Sequence, residues 1–379
     1  MKGSIRQRGK GFTAYWFTVD PGTGKRRQHS RGGFRTKGAA QEHLNEVLGK
    51  VQTGAWAPDK KMTVGELLTE WQAAKKSQGL RASTTAQYRI VAEKWLAPRV
   101  GGVQLTKLSP VVAQQLVEEL RAKGGRNASP LSDRSVQLAV VVLKAATGWA
   151  FETGLVGRDP LAGFRRPRAQ AGRGAGEAWT AQEARTFLSA VANDRLVAAW
   201  ALLLTRGLRR GELAGLRWDA IDLDGGTIRI VRTRVLVDGT PVDSQPKTEA
   251  GRRTVPLDGA LTAAFRSHRA RQSQERLVAG EAWSDKGYVF TDELGAPLHP
   301  EYFSTRFETL ASGADLPRIR LHDLRHTAAS LMLASGENVK VVAELLGHSS
   351  PTITQTIYQH VMPGMSEAAG ERLSRTLLG

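Results

Sequence analysis

The sequence predicts a multidomain protein, mainly α-helical with small β-sheets. Three observations point that way. At 379 residues the chain is too long for one ordinary hydrophobic core. Apolar residues recur at helical spacings of three and four in most segments, and two stretches, one near the amino terminus and one at residues 227–257, are instead rich in β-branched and aromatic residues. Charge is also unevenly spread: the formal net charge of +18 divides into +8 over residues 1–56, +9 over residues 57–168 and +1 over residues 169–379.

Composition removes several function classes. The chain has no cysteine, which excludes disulfide scaffolds, thiol nucleophiles and cysteine-ligated zinc or iron–sulfur sites. No run of about 18 apolar residues occurs, and the opening MKGSIRQRGKGFTAYW lacks the apolar stretch of a signal peptide, so a soluble, cytoplasmic protein is expected. A basic excess this large beside a normal hydrophobic content of 41% points to a polyanion partner, nucleic acid first and an anionic membrane surface second.

Residues 1–56 read as a small β-sheet followed by a helix. Tyr15-Trp16-Phe17-Thr18-Val19 forms a strand, Asp20-Pro21-Gly22-Thr23-Gly24 supplies turn chemistry, and Ala40, Leu44 and Leu48 mark one face of a helix from about Lys37 to Leu48. Arg6, Arg8, Lys10, Lys25, Arg26 and Arg27 flank the turn, which suits a sheet laid in a nucleic-acid groove or, more plainly, a solvated hairpin. Residues 62–155 read as a helical bundle. Thr84 and Gln87 form a capping-box pattern before the stripe Tyr88, Val91, Ala92, Trp95 and Leu96; Ser109-Pro110 opens the next helix; a further helix runs from about Asp133 to Thr153 and stops at Gly154. Residues 156–177 are rich in Gly, Pro and Arg without periodicity, which marks a basic linker containing Arg165 and Arg166. Its glycines follow no strand, so they do not form a phosphate loop. From residue 178 the chain opens on another N-cap pattern, Thr180 to Glu183, and continues as helices interrupted by strands at residues 227–257, with turns at Asp238-Gly239-Thr240-Pro241 and near Glu249-Ala250-Gly251.

Four patches of this last region carry polar residues able to converge. In GLRRGELAGLRW, Arg209 and Glu212 are three apart, so on a helix the carboxylate holds the guanidinium. In QPKTEAGRRTVPL, Lys247 stands before a turn on a flexible stem. In LHDLRHTAASLMLASG, Leu324, Ala328, Leu331 and Ala334 form a buried stripe that leaves His322 and Arg325 together on an adjacent face. In AELLGHSSPTITQTIYQH, a helix ends at Gly347, His348 follows, Ser350-Pro351 starts another helix, and Tyr358 lies two turns along it. Each patch alone has an ordinary structural reading: a surface ion pair, a solvated lysine, a helix-capping histidine, an aromatic at the edge of a core. The spacing of His322 and His326 also fits a metal pair, but Asp323 stands where a zincin needs Glu and Arg325 adds a cation.

Taken together, the order Arg209, Lys247, His322-x-x-Arg325, His348, Tyr358, within GLRRGEL, HDLRH, LLGHSS and TIYQH, closely resembles the tyrosine recombinase (phage integrase) family. The resemblance implies an arm-site DNA-binding domain at 1–56, a helical core-binding (SAM-like) domain at 62–155, the linker at 156–177, and a mixed α+β tyrosine-recombinase catalytic domain with a carboxy-terminal tail at 178–379. It implies a site-specific recombinase that integrates or excises a mobile element through a 3′-phosphotyrosine intermediate with a free 5′-hydroxyl. In that chemistry Tyr358 is the nucleophile, Arg209 and Arg325 meet the non-bridging phosphate oxygens, His348 donates a further hydrogen bond, His322 positions the phosphate and helps accept the phenol proton, Lys247 protonates the departing 5′-oxygen, and Glu212 orients Arg209 or His322. No metal or cofactor is needed. The expected partners are double-stranded DNA at core and arm sites, a homotetramer on synapsed DNA, a DNA-bending host factor and an excisionase-type directionality factor, with no membrane. Rival readings are a resolving recombinase, a topoisomerase-like strand transferase, and a DNA-binding regulator without activity. One departure stands out: Arg206 precedes Gly207 where the family commonly has a small hydroxyl residue.

Overall fold

The computed structural model describes residues 3–19, 26–52, 62–167 and 178–348, together with 374, 375, 377 and 378. The chain divides into two units, Met1–Gln170 and Ala171–Gly379. The first begins with an antiparallel sheet, β1 (Ser4–Arg8), β2 (Gly11–Val19) and β3 (Arg26–Phe34) in that order, followed by α1 (Lys37–Gln52). Period-two alternation along β2 explains the arrangement: Ala14 and Trp16 are buried in a cluster with Leu44 and Val47 of α1, while Tyr15 and Phe17 take the opposite face. The Asp20–Gly24 turn lies outside the described residues.

A helical bundle follows, formed by α2 (Val64–Ser77), α3 (Ala82–Val91), α4 (Ala97–Val100), α5 (Pro110–Lys123) and α6 (Asp133–Glu152). Its core gathers Leu67, Leu68, Trp71, Leu96, Leu120 and Leu143. Ser109 caps α5 by accepting the Val112 N–H, with Pro110 at the first helical position. The capping pattern at Thr84 is not a cap. The helix begins earlier, at Arg81, because the left-handed Gly79 turns the chain there, and Thr84 already donates its N–H to the Arg81 carbonyl. Between α3 and α4 the residues Ala92–Leu96 form a π turn, in which Ala97 bonds to the Ala92 carbonyl five residues back. Pro98, lacking an N–H, cannot complete the ordinary helical bond to Lys94, and the helix widens just before it.

The second unit contains α7 (Ala181–Ala190), α8 (Val197–Arg206), α9 (Arg210–Ala214), β4 (Ile221–Asp222), β5 (Thr227–Ile230), β6 (Thr233–Val237), β7 (Thr240–Ser244), β8 (Arg253–Pro256), α10 (Gly259–Ala279), α11 (Pro300–Gly313), α12 (Asp323–Ala334) and α13 (Val339–Leu346). Thr180 and Glu183 cap α7 reciprocally. Trp179, Phe187, Trp200 and Phe307 pack as an aromatic group inside the core, with Trp179 and Phe187 centroids 5.3 Å apart. The strands form two sheets: β4-β5-β8, and a separate hairpin β6-β7 closed by Asp238 and Gly239, both with positive φ as a two-residue primed turn requires. α12 differs from the expected stripe. Leu324 and Ala328 are buried, but so are Thr327, Ala329 and Leu333, whereas Ala334 is exposed, because the helix runs through the core on several sides and leaves it only at its end.

The structure gives Arg206 a role. Its Nε donates to the Pro256 carbonyl at 2.8 Å and its Nη2 to Asp258 at 2.8 Å. Asp258 is the N-cap of α10, so Arg206 fastens the end of α8 to the β8–α10 junction. No helix among the described residues is long and apolar enough to cross a membrane.

Candidate active site

The site is assembled at the ends of α8, α9, α12 and α13 and on β8. α8 stops at Gly207, which has φ +60°, and a Cβ there would lie 2.4 Å from Leu346 Cδ2 of α13; only glycine permits both the left-handed turn and the approach of that helix. Two residues on, Arg209 is the N-cap of α9 and not a member of the helix, yet the expected pair forms: its Nη1 donates to Glu212 Oε1 at 2.8 Å and its own N–H to Oε2 at 3.0 Å. Nη2 of Arg209 reaches the Gly347 carbonyl at 2.8 Å. Gly347 closes α13 with φ +67°, and a Cβ there would stand 2.7 Å from the Ala250 carbonyl, so the turn after Lys247 packs against the residue preceding His348.

Glu212 is 1% exposed and serves two arginines. Arg253, on the inward-facing register of β8 with Val255, grips both carboxylate oxygens at 3.1 and 2.9 Å and donates through Nε to the Leu345 carbonyl at 2.6 Å. Burial opposes ionisation of Glu212, but Arg253 and then Arg209 outweigh it and hold its carboxyl below the usual range. Arg253 belongs to QPKTEAGRRTVPL, where the local pattern gives it no task. The available signal was a cation at strand spacing from a buried valine, a position that is seldom charged without a partner.

Arg325 sits in the first turn of α12, buried, with Nη1 donating to the Gly207 carbonyl at 2.8 Å and Nη2 buried without a partner. Burial, Arg209 and Arg253 push its guanidinium down to about 9, with Glu212 acting the other way. His322, the residue before α12, stays accessible to solvent, and its ring lies 5.6 Å from that of His326. Partial burial, then His326 and Arg325, lower its pKa. Asp323 between them is engaged by Arg320 through N–H, Nε and Nη2 at 2.8 to 2.9 Å. Half-buried His348 is held down to about 4, first by burial and then by Arg325 and Arg209. It is therefore a neutral imidazole near pH 7, able to donate one hydrogen bond without carrying charge. Arg209 and Arg253 pair with the one carboxylate of Glu212, and Arg325 stands near them without a carboxylate of its own, which leaves a positive surplus around an unused buried donor: a receptor for an anion.

The structure thus brings Arg209, Glu212, His322, Arg325 and His348 together. Lys247 is exposed on the loop between β7 and the Glu249–Gly251 turn. Tyr358 lies outside the described residues. Of the expected DNA-contacting cations in the first unit, Arg6, Arg8 and Arg26 register with the outward residues of β2, and Arg6 and Arg26 stand 5.2 and 5.5 Å over the rings of Tyr15 and Phe17. Lys10 is exposed in the β1–β2 turn, whereas Arg27 pairs with Thr18 in the alternate register that faces α1. Lys25 lies outside the described residues. Arg165 and Arg166 are exposed on a segment tied to α6 by Gln137 and Lys144, which donate to the Pro167 and Phe164 carbonyls.

Comparison with known proteins gives the family. Residues 178–364 match the phage integrase family, residues 4–51 an arm DNA-binding domain, and residues 63–121 the phage integrase N-terminal SAM-like domain. A tyrosine recombinase XerC from Xylella fastidiosa strain M23 is 30% identical over 236 residues, covering 61% of this chain and 71% of that protein. The chain belongs to the tyrosine recombinase (phage integrase) family. A XerC-like tyrosine recombinase of Caldanaerobacter subterraneus subsp. tengcongensis is 27% identical over 360 residues, 90% of each protein. The fold is shared with the Tn1549 transposon integrase solved with circular intermediate DNA (TM-score 0.68, 22% identity, 82% of this chain and 99% of that one). It is also shared with a lambda integrase tetramer on a Holliday junction (TM-score 0.57, 18% identity, 94% of each). This recombinase therefore breaks and rejoins DNA in site-specific recombination.

Proposed function

We propose that this recombinase integrates or excises a mobile element, with Tyr358 attacking the scissile phosphorus to form a 3′-phosphotyrosine and release a 5′-hydroxyl. The bond energy is kept in the ester, and the phenol leaves readily when a second strand's hydroxyl attacks, so no energy source is required. Arg325 and Arg209 receive the non-bridging oxygens. The observation that carries this is the buried, partnerless Nη2 of Arg325 beside guanidiniums that outnumber their carboxylate. His348 adds a neutral N–H, His322 positions the phosphate and helps accept the phenol proton, and Lys247 hands a proton to the departing 5′-oxygen. Glu212 and Arg253 act through Arg209 by fixing its fork.

Binding and chemistry divide along the chain. The arm-site domain (1–56), core-binding domain (62–155) and basic linker (156–177) grip arm and core DNA, and the catalytic domain (178–379) acts on one phosphate. Active assemblies are homotetramers on synapsed DNA in the cytoplasm, with a DNA-bending host factor and a directionality factor as further partners; the tetrameric lambda integrase complex supports the first of these by likeness. The test is covalent trapping on nicked core-site DNA. Tyr358→Phe is expected to abolish the SDS-resistant adduct while leaving binding nearly unchanged; an adduct that persists without the tyrosine overturns the assignment.

A further inference from the structure

Lys247 follows a hairpin that pairs with no other strand among the described residues, although β6 packs on α9, where Cβ atoms on Gly211 and Gly215 would stand 3.0 and 2.9 Å from the Arg234 backbone. Two-stranded hairpins are marginally stable alone, so β6-β7 needs an anchor if the lysine beyond it is to be placed. Beside the packing of β6 on α9, an anchor on the side of β7 is a phenol. Tyr288, 5% exposed, lies between two guanidiniums: Arg217 is 4.5 Å and Arg234 5.0 Å from its ring centroid. Its hydroxyl donates to Asp243 at 2.5 Å and accepts from Arg234 at 2.7 Å and Arg217 at 3.1 Å. Arg217 also meets Asp243 at 2.8 Å. Arg234 and Asp243 are direct cross-strand partners, one on each strand of the hairpin, while Arg217 and Tyr288 belong to the body of the unit. The Nε atoms of both arginines are buried without partners, so this arrangement is held at a desolvation cost. Asp243 lies four residues before Lys247. On the other side, Gly251 packs on Pro246, and two residues later Arg253 is locked to Glu212.

We propose that Tyr288 and Asp243 are positioning residues for the proton transfer by Lys247, bracing the hairpin from which that lysine reaches the leaving group. This rests on Lys247 being the general acid. In the step itself, the Tyr358 hydroxyl gives up its proton to His322 as its oxygen forms a bond to phosphorus and the P–O5′ bond breaks; Lys247 Nζ gives one proton to the 5′-oxygen, yielding a 5′-hydroxyl and a neutral amine. A 5′-bridging sulfur leaves as a thiolate and needs no proton, so it separates loss of the acid from every other defect.

The experiment compares the full-length protein and the variants Tyr288→Phe, Asp243→Asn and Lys247→Ala on paired core-site DNAs carrying oxygen or sulfur at the 5′-bridging position. Because the rates are compared within each variant, partial unfolding lowers both alike and does not mimic the effect. Lys247→Ala is expected to slow oxygen cleavage by about 10²–10⁴-fold, and Tyr288→Phe and Asp243→Asn by about 10-fold, with near wild-type rates on sulfur. Equal slowing on both substrates, or none, in Tyr288→Phe and Asp243→Asn overturns the brace. If Lys247→Ala itself is not rescued by sulfur, Lys247 is not the acid, and both the earlier assignment and this one fall; rescue of Lys247→Ala alone rejects only the brace.

Discussion

The two units use cations in opposite ways. Residues 1–170 carry the +17 excess, and arginines such as Arg6, Arg8 and Arg26 stand exposed on a sheet face, Arg6 and Arg26 over aromatic rings. Residues 171–379 carry +1, yet they contain Arg253 and Arg325, largely buried, and Arg209 fixed between a carboxylate and a carbonyl. Exposed cations act by number: each phosphate neutralised releases counterions, and one arginine substitutes for another. Buried cations act by placement, because each has a prescribed partner and the low-dielectric surroundings penalise any that lack one. Net charge therefore marks where cations are in excess in this chain and says nothing of where the buried ones converge.

The largest expected effect tests placement. Arg325→Lys keeps the charge but loses the planar fork, and DNA cleavage should fall by about 10²–10³-fold while the salt dependence of DNA binding keeps its slope. Single-turnover cleavage and binding titrations at several salt concentrations check this together. A lysine that restores the rate would show that charge alone suffices there, and the contrast between units would collapse.

The next effect is on stability. Glu212→Gln leaves Arg253, whose side chain is 7% exposed, without its counter-charge, whereas Arg209, at 39%, can rehydrate. The loss should be about 3 kcal/mol, the low end for breaking a buried ion pair, read as a lower urea midpoint of the catalytic unit. A change within error would mean that the pair only orients Arg209.

What the sequence disclosed, and what it hid, follows the same division. Arg209 and Glu212 were legible because they are three residues apart, and His348 because a glycine marks the helix end before it. Arg253 was hidden: its partner lies 41 residues away, and sheet membership is a non-local fact that no window of residues contains. For the same reason β6-β7 could not be told from the β4-β5-β8 sheet, although its Asp-Gly turn was plain. The Thr84 capping pattern misled because the left-handed Gly79 set the helix start three residues earlier. Ala334 misled because periodicity continues past the point at which α12 leaves the core.

A smaller effect tests number. Replacing Arg6, Arg8 and Arg26 with Gln should lower the slope of log affinity against log salt by about one per lost phosphate contact, without changing cleavage at saturating core-site DNA. A loss of cleavage rate at saturation would assign these exposed arginines a placed role.

The smallest effect is pH-dependent and belongs to the catalytic unit. His268, His322, His326 and His348 all have lowered pKa values, chiefly through burial. Each binds a proton more weakly in the folded unit than in the unfolded chain, so acid favours unfolding. The stability held by their neutral forms is complete above about pH 6.5 and is lost as pH falls, down to about 4 for His348. Between pH 7 and 5 His348→Gln should recover on the order of 1 kcal/mol of the loss, since the half-buried ring is partly screened by solvent. Urea midpoints at the two pH values measure it. Core-site DNA should shrink the same difference in the wild-type protein, because a phosphate seated against Arg325 and Arg209 offsets the charges that depress His348. If DNA leaves the pH dependence unchanged, the anion does not occupy the space that these arginines and His348 share.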